Sequence, residues 1–201
     1  MIIAIDGPSA SGKGTIGRAV AERLGYHYLD TGALYRMVGL QVMRLGLDPG
    51  DEARCALVAA ELQPVHFKDE ELRGETVGAY ASKVAVLPKV RAALLKLQRD
   101  FAAQEPGAVL DGRDIGTVIC PDADHKFYIT ASVEARSQRR HLEARGIPLA
   151  TVKAEIEARD LRDATRATAP LKAADDAVVI DTSEMGIEEA VAKVMGVIER
   201  D

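Results

Sequence analysis

Short apolar runs alternate along this chain with longer stretches in which apolar residues recur every three or four positions. The first run, Ile2 to Asp6, is β-branched and apolar almost throughout, which is typical of a buried parallel strand. In the next stretch, Lys13 to Leu24, Ile16 and Val20 lie at helical spacing, and Gly25 ends the pattern. Strands that alternate with helices predict an α/β protein with a parallel sheet and helices on both faces.

The same patterns predict the remaining elements. Further strands are expected at His27–Leu29, Ala108–Asp111, Lys126–Thr130 and Ala177–Asp181. Further helices are expected at Ala33–Leu45, from a cap at Asp48 with Pro49 near the first position to about Leu62, at Val84–Leu87, at Lys89–Ala103 after a break at Pro88, at Val133–Arg145, at Thr151–Arg166 and at Ile187–Glu199. Gln63–Ala81 and Ala144–Asp176 fit the alternation badly and are predicted to be flaps inserted into the sheet domain.

Length, charge and composition argue against several classes of protein. The 201 residues suit one domain, and 26 Lys and Arg against 31 Asp and Glu give a net charge of −5. A mildly acidic chain is a poor candidate for sequence-independent nucleic-acid binding, which needs a basic surface. No apolar run approaches the ~20 residues of a membrane span. Cys55 and Cys120 form no CxxC pair, so we expect reduced thiols in a cytoplasmic protein.

The segment GPSASGKGT follows the first predicted strand and opens the first predicted helix. It fits G-x-x-x-x-G-K with Gly7, Gly12 and Lys13 in place. Glycines let backbone N–H groups surround an anion, the helix points its positive end at the same place, and the lysine adds a charge for the outer phosphates. Gly14 stands where many NTPases carry a Mg²⁺-binding Ser or Thr, and Thr15 is the next hydroxyl. We therefore predict a nucleotide phosphate loop of a variant type.

Two more polar motifs follow predicted strands. DTGALYR comes after the second strand, where Thr31 is expected to cap a helix and Arg36 to face the ligand cleft. DGRDIGT follows the third apolar strand and places Asp111, Arg113 and Asp114 within reach of the phosphates. Asp111 is predicted to help to hold Mg²⁺ through water. We expect no metal site that consists of protein ligands alone.

The segment ARDLRDATR concentrates arginine on a predicted helix. Arg159, Arg162 and Arg166 fall within about 60° of one another at 100° per residue. Asp163 lies four residues after Arg159 and is able to pair with it, but one aspartate does not neutralise three guanidinium groups. A solvated charged face is one interpretation. The other is an arginine lid that closes over a phosphoryl group, stabilises its charge and excludes water.

These motifs together resemble the bacterial-type cytidylate kinases, P-loop nucleoside monophosphate kinases that phosphorylate CMP and dCMP from ATP. The segments that carry the resemblance occur in family order over almost the whole chain: GPSASGKGT, DTGALYR, ASKVAVLPKVRAAL, DGRDIGTVICPDA and RDLRDATRATAPL. The resemblance implies a single P-loop kinase domain over 1–201, with a five-stranded parallel sheet flanked by helices. It also implies a short monophosphate-binding insert at about 62–103 and an arginine-rich lid at about 145–172.

The resemblance also implies roles for individual residues. ATP, with Mg²⁺, would be held by Gly7, Pro8, Ser9, Ala10, Ser11, Gly12, Lys13, Gly14 and Thr15. Catalytic charge would come from Lys13, Arg159, Arg162 and Arg166, with Thr15 and Asp111 near the metal. CMP would be bound by Thr31, Arg36, Ser82, Arg91, Arg113, Asp114, Asp163 and Arg166. Among these, Arg36 would grip the CMP phosphate, Ser82, Arg91 and Asp114 would recognise cytosine, and Asp163 would bind the sugar hydroxyls.

Two departures from the family pattern bear on these roles. Ala10 stands where relatives often have glycine, which encumbers the apex of the loop. The insert between about Gln63 and Val77 is short and leaves little room for the β-rich excursion of some relatives. Arg73 within it is considered as an additional residue that faces the site.

Cytosine selection agrees with the chemistry of these side chains. A carboxylate such as Asp114 accepts from the cytosine amino group, whereas uracil would set a carbonyl against it, at a cost on the order of a few kcal/mol. The alternatives are a kinase of the same fold that acts on UMP, AMP or shikimate, and a non-catalytic nucleotide-binding switch. The chain has no NKxD guanine motif, which speaks against a GTPase-like switch. We expect a monomer with no nucleic-acid or membrane partner.

Overall fold

The five predicted strands form one sheet in a computed structural model of the chain. The strands are β1 (Ile2–Asp6), β2 (His27–Asp30), β3 (Ala108–Gly112), β4 (His125–Thr130) and β5 (Val178–Asp181). Their order is β2-β3-β1-β4-β5, and β1 pairs in parallel with both β3 and β4, as β4 does with β5. The order reverses at β1, so the loop after β1 emerges between β3 and β4, where open α/β sheets bind ligands.

The structure describes residues 1–72, 74–143 and 146–200. The helices in these ranges are α1 (Lys13–Leu24), α2 (Thr31–Arg44), α3 (Glu52–Ala60), α4 (Asp69–Leu72), α5 (Glu75–Val84), α6 (Pro88–Ala102), α7 (Val133–Glu143), α8 (Leu149–Thr165) and α9 (Ile187–Ile198). A 3₁₀ turn at Pro64–His66 and a π-helical turn at Ile115–Ile119 complete them. Arg73, the additional site candidate, and Arg145, the predicted end of one helix and start of the lid, lie outside the described residues.

The alternation of strands and helices predicted from the sequence is confirmed, but two N-caps were assigned to the wrong residue. Asp51, not Asp48, caps α3, because its carboxylate accepts from the backbone N–H of Arg54 at 3.1 Å. Asp48 instead accepts from the N–H of Gly50 in the preceding turn, at 2.8 Å. In α2 the cap is Asp30, whose side chain accepts from the N–H of Ala33, so the predicted cap Thr31 is the first helical residue.

The stretch around Pro88 also differs from the prediction. The helix expected at Val84–Leu87 is wrong, because α5 ends at Val84 and most of it falls within the predicted flap Gln63–Ala81. Pro88 does not break a helix but begins α6, which agrees with the preference of proline for the first helical turn, where its missing N–H costs nothing.

The chain divides into two compact units, and each has its own core. The first, the sheet unit, comprises residues 1–29 and 102–201, and the second, the helical unit, comprises residues 30–101. The core of the sheet unit joins β1, β3 and β4 to α1 and α9 through fully buried side chains such as Ile5, Val20, Phe127 and Val191. The helical unit begins well before the insert predicted at about residue 62 and has a small core of Leu40, Leu72 and Val77. Among the described helices, none has the length and apolar character that crossing a bilayer demands.

We predict that Gly39→Ala destabilises the helical unit. A methyl group at Gly39 of α2 would lie 2.7 Å from the backbone N of Ala81 and 3.1 Å from the carbonyl carbon of Tyr80 in α5. Because these are backbone atoms, the two helices must separate, which typically costs about 1–3 kcal/mol of unfolding free energy. Urea unfolding followed by circular dichroism measures the loss.

The matched control is Gly196→Ala in α9, where the nearest atom to the new methyl group is the side-chain Nη2 of Arg200 at 3.7 Å. That substitution is expected to leave stability unchanged or raise it by about 0.5–1 kcal/mol, since alanine is the better helix former. A Gly39→Ala protein as stable as the wild type would contradict the close crossing of α2 and α5.

Candidate active site

The predicted phosphate loop connects β1 to α1, and its backbone is tightly constrained. A Cβ at Gly7 would lie 2.0 Å from the carbonyl oxygen of Ile129 in β4, so only glycine fits at the exit of β1. Ala10 adopts a left-handed conformation with φ 59°, which costs a residue with a Cβ roughly 1–2 kcal/mol. Alanine in place of glycine at position 10 is therefore accommodated only at the cost of backbone strain at the apex of the loop.

Side chains of α7 and of the loop after β5 hold the carbonyl oxygens of this phosphate loop. Nη1 of Arg136 donates to the Ser9 carbonyl at 3.3 Å, and Nη1 of Arg139 donates to the Ser11 carbonyl at 3.4 Å. The Thr182 hydroxyl donates to the Ser11 carbonyl at 3.0 Å. In a trans peptide the next N–H points opposite to the carbonyl. The N–H groups that follow these two carbonyls therefore point away from the arginines, the orientation that an anion-binding loop requires.

Lys13 and Asp111, predicted to act on the phosphates and the metal, are brought together. Lys13 Nζ lies 3.8 Å from Asp111 Oδ2, and both side chains are largely buried. The other oxygen, Asp111 Oδ1, accepts from the Tyr28 hydroxyl at 2.8 Å, and the Arg18 guanidinium stacks 4.6 Å above the Tyr28 ring. Tyr28 therefore fixes the orientation of the Asp111 carboxylate and directs one of its oxygens toward Lys13.

Asp6 lies at the end of β1, next to the phosphate loop, and is buried. Its Oδ1 accepts from the N–H of Ile115 and its Oδ2 from the N–H of Gly116, each at 2.8 Å. Burial raises the pKa of Asp6 from its ordinary value of 3.8 to about 6, against the opposing effect of the two backbone hydrogen bonds. Asp6 thus ties the end of β1 to the turn after β3, where the predicted cytosine-binding Asp114 lies.

Four residues that were predicted to bind CMP form two ion pairs in the sheet unit. Arg113 Nε lies 2.9 Å from Asp163 Oδ2, and Arg166 Nη2 lies 3.3 Å from Asp114 Oδ1. Side chains in both pairs are mostly buried, which makes removal of one partner costly because the other charge stays behind uncompensated. These pairs join α8 and the residue after it to the turn that follows β3.

The three arginines predicted on one helix face do not share it. Helix α8 ends at Thr165, and Arg166 has an extended backbone with φ −61° and ψ 138°, so its side chain leaves from beyond the helix. Arg159 is half-buried, Arg162 is exposed and Arg166 is buried. Of the three, the structure links Arg166 to a predicted substrate residue through the ion pair with Asp114.

The remaining residues that were predicted to bind CMP belong to the helical unit: Thr31, Arg36, Ser82 and Arg91. Thr31, Ser82 and Arg91 are buried. Burial is unusual for an arginine unless its charge is paired or serves a function. Arg36 donates from Nη1 to the Leu72 carbonyl at 3.0 Å, and the Arg91 guanidinium lies 5.6 Å from the centre of the Tyr35 ring. The helical unit therefore supplies two partly desolvated guanidinium groups.

The donor set suits a magnesium ion that is carried mainly by phosphates. Within the described ranges, no three His, Cys, Asp or Glu side chains gather as a metal site. Mg²⁺ typically takes one or two carboxylates, waters and substrate phosphates rather than an all-protein cage. The oriented carboxylate of Asp111 fits that role, and Thr15 is exposed in the first turn of α1.

Sequence reasoning missed several residues that organise this site. Arg136 and Arg139 are three residues apart on α7, a spacing that places both on one face and was a usable signal. Asp6 interrupts an apolar strand at its carboxyl end, which was a second signal. Tyr28 and Thr182 carry no local signal, because their partners lie far away in the sequence.

A glycine-rich loop between β1 and α1 of a parallel sheet, with Lys13 beside Asp111 at the end of the neighbouring strand β3, is the arrangement of a P-loop nucleotide-binding protein. The shikimate kinase of Bacteroides thetaiotaomicron shares this fold with a TM-score of 0.54 and 13% identity, covering 99% of this chain and 98% of that one. The chain also matches the family model described as cytidylate kinase over residues 3–200.

Two curated relatives are similar over nearly their whole length. The cytidylate kinase of Rhodopseudomonas palustris is 53% identical over 203 residues, which cover 99% of this chain and 96% of that protein. The cytidylate kinase of Afipia carboxidovorans is 52% identical over 204 residues, which cover 100% and 98%. The chain belongs to the cytidylate kinase family, and the resemblance inferred from its motifs is confirmed.

We predict that Asp6 makes the stability of the fold depend on pH. Because the folded state binds the Asp6 proton more tightly than the unfolded chain does, the protonated carboxyl stabilises the fold below about pH 4, and this contribution is lost as the pH rises past 6. The shift corresponds to about 3 kcal/mol. Measured by urea unfolding, the stability of the wild type minus that of Asp6→Asn should fall by most of this amount between pH 4 and pH 7.

In Asp6→Asn, one backbone N–H loses its acceptor at every pH, so this loss adds a constant offset and leaves the slope intact. A difference that stays flat between pH 4 and pH 7 would contradict the raised pKa of Asp6.

Proposed function

We propose that this protein transfers the γ-phosphate of ATP to CMP or dCMP and so produces CDP or dCDP. The observation that carries the proposal is the match to the cytidylate kinase family over residues 3–200. The site geometry supports it, because the phosphate loop is oriented for an anion and buried arginine and aspartate side chains lie at the neighbouring strand end.

On the donor side, Gly7 to Thr15 bind the phosphates of ATP, and Lys13 neutralises charge on the outer ones. The Ser11 hydroxyl is buried and has no hydrogen-bond partner among the described residues, so a phosphate oxygen that accepts from it would satisfy a group that is otherwise costly to bury. Asp111, through water, and Thr15 would hold the Mg²⁺ that accompanies ATP. When bound, this ion supplies neutralisation of the β- and γ-phosphate charge.

On the acceptor side, Asp114 accepts from the amino group of cytosine, and Ser82 and Arg91 donate to the ring nitrogen and carbonyl. Arg36 grips the CMP phosphate, Thr31 lies near the acceptor nucleotide, and Asp163, with Arg113 and Arg166 beside it, binds the sugar hydroxyls. The ion pairs of Asp163 with Arg113 and of Asp114 with Arg166 support this assignment, because they hold each carboxylate in a defined place before the substrate binds.

The reaction needs charge stabilisation rather than a general base. A CMP phosphate oxygen is ionised near neutral pH and attacks the γ-phosphorus in line with the leaving ADP oxygen. Lys13, together with Arg159, Arg162 and Arg166, compensates the charge on the transferring group. The exposure of Arg162 supports a role for residues 145–172 as a lid that brings this arginine to the phosphates by closing. A monomeric state and a cytoplasmic location stay predictions from the sequence.

An acceptor panel tests the proposal. ADP release from ATP, measured with a coupled assay, is expected to be fastest with CMP or dCMP and slower with UMP, AMP or shikimate. Lys13→Met should lower kcat by about 10²- to 10³-fold, because one positive donor to the transferring phosphoryl group is lost. The matched control is Lys96→Met, which removes an exposed ammonium that pairs with Asp100 on α6 and should leave the rate unchanged.

Two results would contradict the proposal. A rate that is highest with shikimate or AMP would assign the site to another acceptor. ADP release that does not depend on any acceptor would favour a nucleotide-binding switch over a kinase.

We predict that Asp114→Asn relaxes the choice of base. Asparagine offers both a donor and an acceptor, so it tolerates the uracil carbonyl that a carboxylate rejects. The ratio of kcat/KM for CMP to that for UMP should fall roughly ten-fold or more, mainly through a higher KM for CMP. The ratio does not depend on how much of the variant is folded, which matters because Arg166 loses its ionic partner.

Asp122→Asn is the control for this substitution, because Asp122 is an exposed carboxylate beyond the same turn. An Asp114→Asn ratio equal to those of the wild type and of Asp122→Asn would remove Asp114 from the base-binding set.

A further inference from the structure

The buried side chain of Arg136 contacts three different segments of the sheet unit. Its Nε donates to the Ala131 carbonyl, just after β4, at 2.9 Å. Its Nη1 donates to the Ser9 carbonyl of the phosphate loop at 3.3 Å and lies 2.7 Å from Asp160 Oδ2 on α8. With 4% of its surface exposed, Arg136 has almost no contact with solvent. One guanidinium therefore joins the end of a strand, the phosphate loop and the helix that carries Arg159 and Arg162.

The shape of the guanidinium makes these contacts interdependent. Its N–H groups form a rigid planar fork, so the bond from Nε to Ala131 sets the directions in which the remaining N–H groups point. The same nitrogen, Nη1, serves both the loop carbonyl and Asp160. Any movement of the Ser9 carbonyl that pulls on Nη1 therefore changes its contact with Asp160, and the reverse holds as well.

Asp160 lies on the same helix as Asp163, which was predicted to bind the sugar of CMP. The two carboxylates are three residues apart, which places them on neighbouring turns of one face of α8. Asp160 pairs with Arg136 beside the phosphate loop, and Asp163 pairs with Arg113 after β3. A continuous series of contacts thus runs from Ser9 through Arg136 and α8 to Arg113.

The ion pair between Arg136 and Asp160 is not saturated. Asp160 Oδ1 is buried and has no hydrogen-bond partner among the residues that the structure describes. A buried carboxylate oxygen without a donor is unfavourable, so a small rotation of this carboxylate or of α8 meets little resistance from competing bonds. This pair is suited to shift when one of its neighbours binds a ligand.

We propose that Arg136 is a positioning residue that couples the binding of ATP at the phosphate loop to the binding of the acceptor nucleotide at Asp163 and Arg113, through Asp160. The proposal rests on the proposed function. A phosphate bound by the N–H groups of the loop fixes the direction of the Ser9 carbonyl, Arg136 transmits that direction to Asp160, and α8 carries it one turn further to Asp163. Coupling of this kind is reciprocal, so each nucleotide tightens the binding of the other by the same factor.

Calorimetric titration measures this coupling directly. CMP is titrated into the wild type and into Asp160→Asn, each with and without a saturating non-hydrolysable ATP analogue. In the wild type the analogue is expected to tighten CMP binding, within the range of about 5- to 150-fold that is typical of coupled sites. In Asp160→Asn this factor should fall toward one, while Kd for CMP alone changes less than about two-fold. A purely structural role would instead weaken CMP binding equally with and without the analogue.

The matched control is Glu134→Gln. Glu134 Oε1 lies 2.7 Å from Lys153 Nζ, and this exposed ion pair joins the same two helices, α7 and α8, without reaching the phosphate loop. Glu134→Gln is expected to keep the coupling factor of the wild type. A loss as large as that in Asp160→Asn would show that any contact between these helices suffices, and would overturn the role of Arg136.

A second variant covers the case in which Asp160→Asn does not fold because it leaves Arg136 without an ionic partner. Arg136→Lys keeps the charge but has no fork with which to reach Ser9 and Asp160 together, so it should also lose the coupling. If the variants retain the wild-type factor, or if the wild type shows none, the proposal is wrong while CMP binding and phosphorylation stand. If the wild type neither binds CMP nor phosphorylates it, the proposed function fails and this inference fails with it.

Discussion

Charge that is buried at the carboxyl edge of the sheet has to be compensated, and this requirement organises the site. Removing an ion from water costs several kcal/mol, which only a nearby opposite charge or a set of hydrogen bonds offsets. Four acidic side chains of the sheet unit meet that requirement with a cation: Asp111 with Lys13, Asp114 with Arg166, Asp160 with Arg136 and Asp163 with Arg113. Each pair holds two side chains in a defined place, so compensation and positioning come from the same contacts.

Asp6 shows what happens when compensation is incomplete. Its carboxylate is held by two backbone N–H groups, and Asp114 opposes its ionisation while Arg113 favours it. Burial, with a smaller contribution from Asp114, outweighs the two hydrogen bonds and Arg113, so the pKa of Asp6 rises to about 6. The protein keeps this unfavourable group where it joins the end of β1 to the turn that carries Arg113 and Asp114. The loss of stability therefore arises at the junction between the phosphate loop and the predicted base-binding residues, where the positions of the side chains matter most.

Much of this fold was predictable because its signals are local. The β-branched run at Ile2–Asp6 and the glycine-rich segment after it define a strand, a loop and a helix with little help from the rest of the chain. The cap of α3 was misassigned because Asp48 and Asp51 are both competent caps by type, and which of them is used depends on the turn between them. Arg113 and Arg166 were recognised from motifs. Their partners Asp163 and Asp114 were recognised from motifs as well, but the pairing was not, because each pair joins residues about fifty positions apart.

The spacing of the charges on α8 explains why one helix is able to serve both sides of the site. Asp160 and Asp163 lie three residues apart on neighbouring turns of α8, and Arg166 follows directly after the end of the helix. Asp160 reaches α7 beside the phosphate loop, while Asp163 and Arg166 reach the turn after β3. A helix is stiff along its axis, so a displacement at Asp160 is delivered to Asp163 largely undiminished. A flexible loop with the same residues would satisfy the same charges but would not transmit that displacement, and this is the physical reason to expect a helix at this position.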